Sequence, residues 1–150
     1  MDFADELALP AAPARAWAAL VDFRRVAACL PGCERVEEVE PLARYRAVMA
    51  QRLGPFRVEV PMEITIEEVR EPERLRARAA GRDRVTGTLI DAGVTLTLAP
   101  DPGGGTRLSL ETSLQVGGRL ATLGYPAIRA RAAESVAEFG RRLAAALAEA

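Results

Sequence analysis

The sequence holds 150 residues, 49% hydrophobic and 27% charged, a balance that supports one independently folding domain, is far from that of a disordered chain and leaves no room for two ordinary domains. Its 20 basic and 21 acidic residues are spread along the chain and sum to −1, so no basic footprint for nucleic acid is present, and the absence of histidine excludes Ser–His and Cys–His nucleophile pairs. No stretch approaches the roughly twenty apolar residues of a spanning helix, and the start Met1-Asp2-Phe3-Ala4-Asp5-Glu6 lacks the basic segment and apolar run of a secretory signal, so the expected location is cytoplasmic.

In chain order, residues 3–9 read as a first strand, ended by Pro10 and Pro13. Residues 14–20 then form a short helix opened by a proline, and Asp22 is the expected N-cap of a second helix over 23–30, stopped by Pro31-Gly32. From Glu34 to Val116 the period changes to two. Val58, Val60, Met62, Ile64 and Ile66 alternate with Arg57, Glu59, Pro61, Glu63, Thr65 and Glu67, and the same pattern recurs at Leu108, Leu110, Thr112, Leu114 and Val116 and more weakly at Val94, Leu96 and Leu98. Turn residues at Glu40-Pro41, Gly54-Pro55, Glu71-Pro72-Glu73, Gly81-Arg82-Asp83 and Asp101-Pro102-Gly103-Gly104-Gly105 divide this stretch into about six strands. The connections are too short for helical crossovers, so the strands make an antiparallel meander. Finally Leu120, Leu123, Ile128, Ala132, Val136, Phe139, Leu143 and Leu147 recur mostly three or four apart, which predicts a long amphipathic C-terminal helix.

Little of this carries catalytic chemistry. Cys29 and Cys33 are the only cysteines, too few for a closed zinc site without histidine, and they read as reduced packing residues of the turn between the second helix and the next strand, ahead of a redox pair or metal ligands. No metal site is expected. The Glu37-Glu38 and Glu67-Glu68 pairs point to opposite strand faces and read as solvated edges. Gly103-Gly104-Gly105 lies between strands without the lysine and helix of a phosphate-binding loop.

The local sequence adds a resemblance. The succession Pro13-Ala14-Arg15-Ala16-Trp17-Ala18-Ala19-Leu20 with Asp22, Cys29-Leu30-Pro31-Gly32-Cys33-Glu34, Tyr45-Arg46-Ala47, Leu53-Gly54-Pro55, Gly105-Thr106-Arg107-Leu108 and Val116-Gly117-Gly118-Arg119-Leu120-Ala121 leading to Leu123-Gly124 resembles the carbon monoxide dehydrogenase G-subunit family, within the helix-grip superfamily of START-like and birch-pollen-allergen-like domains. The resemblance implies an α+β fold over residues 1–150: a curved antiparallel sheet of about seven strands, two short helices after strand 1, and a long C-terminal helix across the concave face. It also implies a non-catalytic accessory protein of an aerobic, molybdenum-containing hydroxylase system, working at or near the inner face of the membrane with dehydrogenase subunits as partners. Some such relatives carry a C-terminal extension that reaches the membrane; this sequence ends Ala148-Glu149-Ala150 after Leu147, and no such anchor is expected in it.

A bent sheet gripped by a helix leaves a gap that small inward residues such as Ala47, Ala77, Ala79 and Ala132 do not fill. The expected cavity is lined by Trp17, Met49, Val58, Val60, Met62, Ile64, Leu96, Leu110, Leu114, Leu123, Ile128, Ala132, Val136 and Phe139, with Tyr45, Gln51 and Thr112 as polar handles for a carbonyl head group. The expected guest is a quinone- or fatty-acid-like apolar molecule, with no covalently bound cofactor, and Leu123-Gly124-Tyr125-Pro126 is the expected gate or membrane-touching rim. Two alternatives stand beside it. One is a protein-docking module with a vestigial cavity; the other is a cyclase- or dehydratase-like enzyme, for which Glu63 and Asp91 are the carboxylates to place.

Overall fold

In the computed structural model, which describes residues 1–53 and 55–148, an opening strand β1 (Asp2–Leu9) leads into two short helices, α1 (Pro13–Leu20) and α2 (Phe23–Cys29). Pro13 starts α1, where its missing N–H costs nothing. Asp22 caps α2 by accepting the Arg25 N–H at 3.4 Å. Six strands follow: β2 (Cys33–Glu40), β3 (Arg44–Leu53), β4 (Phe56–Arg70), β5 (Arg74–Asp83), β6 (Thr88–Pro100) and β7 (Thr106–Gly117). A 3-10 helix, Gly118–Leu123, then precedes the long α3 (Tyr125–Ala148). Every pairing is antiparallel, and the single curved sheet runs β1-β7-β6-β5-β4-β3-β2, with β1 and β2 as its edges.

Two expectations are corrected. Gly81-Arg82-Asp83 is not a turn but the end of β5. A Cβ on Gly81 would stand 2.2 Å from the Pro61 carbonyl oxygen and 2.5 Å from the Met62 sulfur, so glycine is there to let neighbouring strands close up. The turn lies at 84–87, where the Asp83 carboxylate accepts the Val85 N–H (3.0 Å) and the Thr86 hydroxyl (2.8 Å) before Gly87 at φ 71°. The terminal helix also starts later than its apolar spacing predicts. Gly124, at φ 87°, separates the 3-10 turn from α3, so Leu123 is not on the long helix, and the Leu120 side chain lies outside the described residues. Of the expected turns, Gly54 also lies outside them.

The core has two parts. The larger joins α1, β1, β6, β7 and the C-terminal half of α3 through Trp17, Leu20, Leu98, Leu108, Leu110, Phe139, Leu143 and Leu147. The smaller lies at the far end of the sheet, where Val58, Val60 and Met62 pack with Met49, Ile64, Ala79 and Ile90. Helix α3 comes close to β1 at Gly140, where a Cβ would meet the Leu7 side chain at 2.7 Å. Between the two clusters, under α2, the concave face is incompletely filled.

Candidate functional site

That gap is a cavity of about 180 Å³. Its floor comes from the inward positions of β3 to β6: Tyr45, Ala47 and Met49; Met62, Ile64 and Ile66; Leu75, Ala77 and Ala79; Val94 and Leu96. Its roof is Leu20 and Val21 at the end of α1, Phe23 and Val26 on α2, and Leu30 and Cys33 beyond it. The void exists because three facing positions are alanine: Ala47 pairs with Met62 across β3–β4, and Ala79 pairs with Ile64 across β4–β5, two residues along from Ala77. Among the described residues no charged side chain lines it, and Tyr45 and Cys33 are the lining residues whose side chains carry a hydroxyl or a thiol. Burial, helped by Glu34, pushes the Cys33 thiol above its ordinary range; burial likewise raises Cys29, against the pull of Arg25 and Arg142. Both thiols are free.

One end of the cavity reaches solvent at Leu42, which lines it while remaining 44% exposed. Leu42 sits in the β2–β3 turn at φ 54°, and its N–H donates to the Tyr45 hydroxyl at 2.8 Å. The Tyr45 ring stacks on Phe23 with centroids 4.1 Å apart and planes 17° from parallel. The lip is therefore made by the α1–α2 joint and the β2–β3 turn, tied together through one buried tyrosine.

Of the residues expected to line the cavity, Tyr45, Met49, Met62, Ile64 and Leu96 do so. Val58 and Val60 share the inward face of β4 but are sealed in the smaller core cluster. Trp17, Leu110 and Phe139 belong to the main core, against which Val136 packs. Ile128 is buried and Leu114 and Ala132 half-buried, all outside the cavity lining. Gln51 is a strut and not a head-group handle: it donates to the Pro31 carbonyl (2.9 Å) and accepts from Arg131 Nε (3.1 Å), joining the α2–β2 turn to α3. Thr112 borders a separate trough with Phe3 and Gly93. Nor is Leu123 to Pro126 the lip. Tyr125 is engaged instead by Arg129, which donates to its hydroxyl at 2.9 Å and lies 4.9 Å from the centre of the Phe3 ring. The two carboxylates of the enzymatic alternative sit on the outer face, Glu63 with Arg46 at 3.8 Å and Asp91 with Arg78 at 2.6 Å.

The roof residues Val21, Phe23, Val26, Leu30 and Leu42 were not anticipated. The alanines of β3 and β5 held the usable signal, since strand pairing brings them together under whatever element follows β1.

A family model for CoxG, the carbon monoxide dehydrogenase G-subunit, matches residues 6–148. The chain belongs to this family. No curated protein matches this CoxG-family chain by sequence. Its fold is shared by a conserved protein from Geobacillus kaustophilus (TM-score 0.89, 18% identity, 99% of this chain and 96% of that one). It is shared also by the AHSA1 protein SPO3351 from Silicibacter pomeroyi (0.69, 18%, 99% and 98%) and by Ara h 8.0201 (0.68, 15%, 100% and 99%). At these identities the likeness is one of fold, and it places the CoxG-family chain among helix-grip proteins. No described helix is long and apolar enough to cross a membrane.

Proposed function

We propose that this CoxG-family protein is a non-catalytic accessory of a carbon monoxide dehydrogenase-like molybdenum hydroxylase system, holding a quinone- or lipid-like molecule in the cavity under α2. The observation that carries the reading is the apolar lining of a void of about 180 Å³ left open by Ala47, Ala77 and Ala79. An apolar cavity of roughly 150 Å³ is known to stay dry and to accept benzene. A void slightly larger takes a ring or a short run of an isoprenoid or acyl chain, with the remainder leaving past Leu42. Burying about 200 Å² of hydrocarbon contributes about 5 kcal/mol at ~25 cal/mol per Å², before the cost of association. The protein's work is to shield and pass on its guest between the inner membrane surface and dehydrogenase subunits in the cytoplasm, without making bonds.

The test is purification without detergent, followed by native mass spectrometry, organic extraction and titration with a short-chain ubiquinone. The Ala79→Leu variant is the control, because its added side chain grows into the void. The wild type is expected to carry or bind the quinone, and Ala79→Leu to bind at least tenfold more weakly while melting no lower. An empty wild type that fails to bind, or a variant that binds equally well, would overturn the reading and favour a docking module with a vestigial cavity.

A further inference from the structure

The polar side chains nearest the cavity under α2 are engaged by the protein itself. The Tyr45 hydroxyl accepts the Leu42 N–H at 2.8 Å, and Tyr45 also borders an outer trough with Val39, Arg44 and Glu63. Gln51 donates to the Pro31 carbonyl (2.9 Å) and the Met49 sulfur (3.4 Å), and its oxygen accepts from Arg131. The Cys33 thiol, pushed up by burial, stays protonated at neutral pH and is only a weak donor. Beneath the floor, the N–H and C=O groups of β3 to β6 are spent on the strand ladders. What a guest meets is hydrocarbon, from the alanines of β3 and β5 to Ile64 and Leu96. A hydroxyl or carbonyl carried into such a wall loses its water and gains no partner in return.

We infer that the cavity is a tail site: it takes the hydrocarbon end of an amphipathic guest and leaves the polar head in water beyond Leu42. A quinone ring inside would bring two carbonyl oxygens into a wall that answers neither, whereas an isoprenoid or acyl end brings none. Size then sets a limit on length. Since an apolar cavity of roughly 150 Å³ accepts the six carbons of benzene, one of about 180 Å³ holds a run of roughly six to eight carbons. Carbons beyond that run lie outside and add nothing to affinity. This inference rests on the ligand-holding role proposed above and decides which part of the guest is held.

Isomeric alcohols test it. Octan-1-ol and octan-4-ol have the same atoms, but only the first is able to bury its whole chain while its hydroxyl stays in water. The second must either bury the hydroxyl or leave half its chain outside. Isothermal titration calorimetry on the wild type compares the two, together with the straight 1-alkanols from butan-1-ol to decan-1-ol. Octan-1-ol is expected to bind at least about tenfold more tightly than octan-4-ol. Along the series, affinity is expected to rise about fourfold per methylene and to level off near roughly eight carbons. Equal binding of the two isomers, or a series that climbs unchanged to decan-1-ol, would overturn the tail site while leaving the ligand-holding role intact. A wild type that binds none of the alcohols would overturn both.

Discussion

Arg25 on α2 donates to the main-chain carbonyl of Ala146 on α3 at 3.3 Å, and Arg15 on α1 reaches the adjacent carbonyl of Leu147. The last carbonyls of a helix have no partners within it and carry the negative end of its dipole. Two guanidinium groups from the opening helices thus serve as the cap of the terminal one, and join the cavity's roof to α3.

Replacing Arg25 with methionine keeps an apolar stem of similar length and removes the charge and donors. The expected loss is about 1 kcal/mol of unfolding free energy at low ionic strength, and less in 1 M salt where the charge–dipole attraction is screened. Urea titrations at both salt concentrations measure it. An unchanged midpoint would show that water satisfies those carbonyls equally well.

Glycines on the sheet separate by what surrounds them. Gly81→Ala is expected to cost about 2–3 kcal/mol, because the new Cβ meets the Pro61 carbonyl and the Met62 sulfur and the strands must part. Gly93→Ala has nothing within 4 Å and is expected to stabilise by about 0.5 kcal/mol through the loss of glycine's unfolded-state freedom. Thermal melts of the two variants should move in opposite directions; a neutral Gly81→Ala would show that the strands are loosely paired there.

Acid should weaken the fold in a defined window. The Thr86 hydroxyl and the Val85 N–H hold the Asp83 carboxyl below its ordinary value of 3.8, Arg78 does the same for Asp91, and Arg141 with Arg142 hold Glu138 below 4.5. A carboxylate whose pKa is lower folded than unfolded stabilises above the unfolded value, and that contribution disappears as pH falls through the folded one. Denaturant midpoints are therefore expected to be level between about pH 7 and 5 and to drop below about 4.5. Asp83→Asn should flatten part of that drop, and an acid limb identical to wild type would remove the β5–β6 turn from the account.

The fold was legible where side-chain period and strand geometry coincide, as in the alternation of Val58 to Ile66 along β4 and the Pro13 and Asp22 signals of the short helices. It was less legible where one spacing suits two structures. Leu120 and Leu123 stand three apart, which fits a 3-10 turn as well as an α-helix, and only the backbone of Gly124 separates them from α3. Gly81 reads as a turn residue by composition, yet is required by a close strand contact. For the site, alternation reveals the face of a residue but not its position along the trough. Val58 and Met62 are indistinguishable by pattern, and only the placement of α2 leaves one sealed in core and the other beside a void.

The edge strand β2 carries Glu34, Glu37, Glu38 and Glu40, and its pairing with β3 is interrupted between Glu34 and Glu37 and again between Glu38 and Glu40. A second copy of the molecule seeking to extend the sheet there would have to align carboxylate against carboxylate along a kinked, irregular ladder. The same strand that closes one side of an apolar vessel thereby discourages its copies from fusing into fibrils when the protein is crowded.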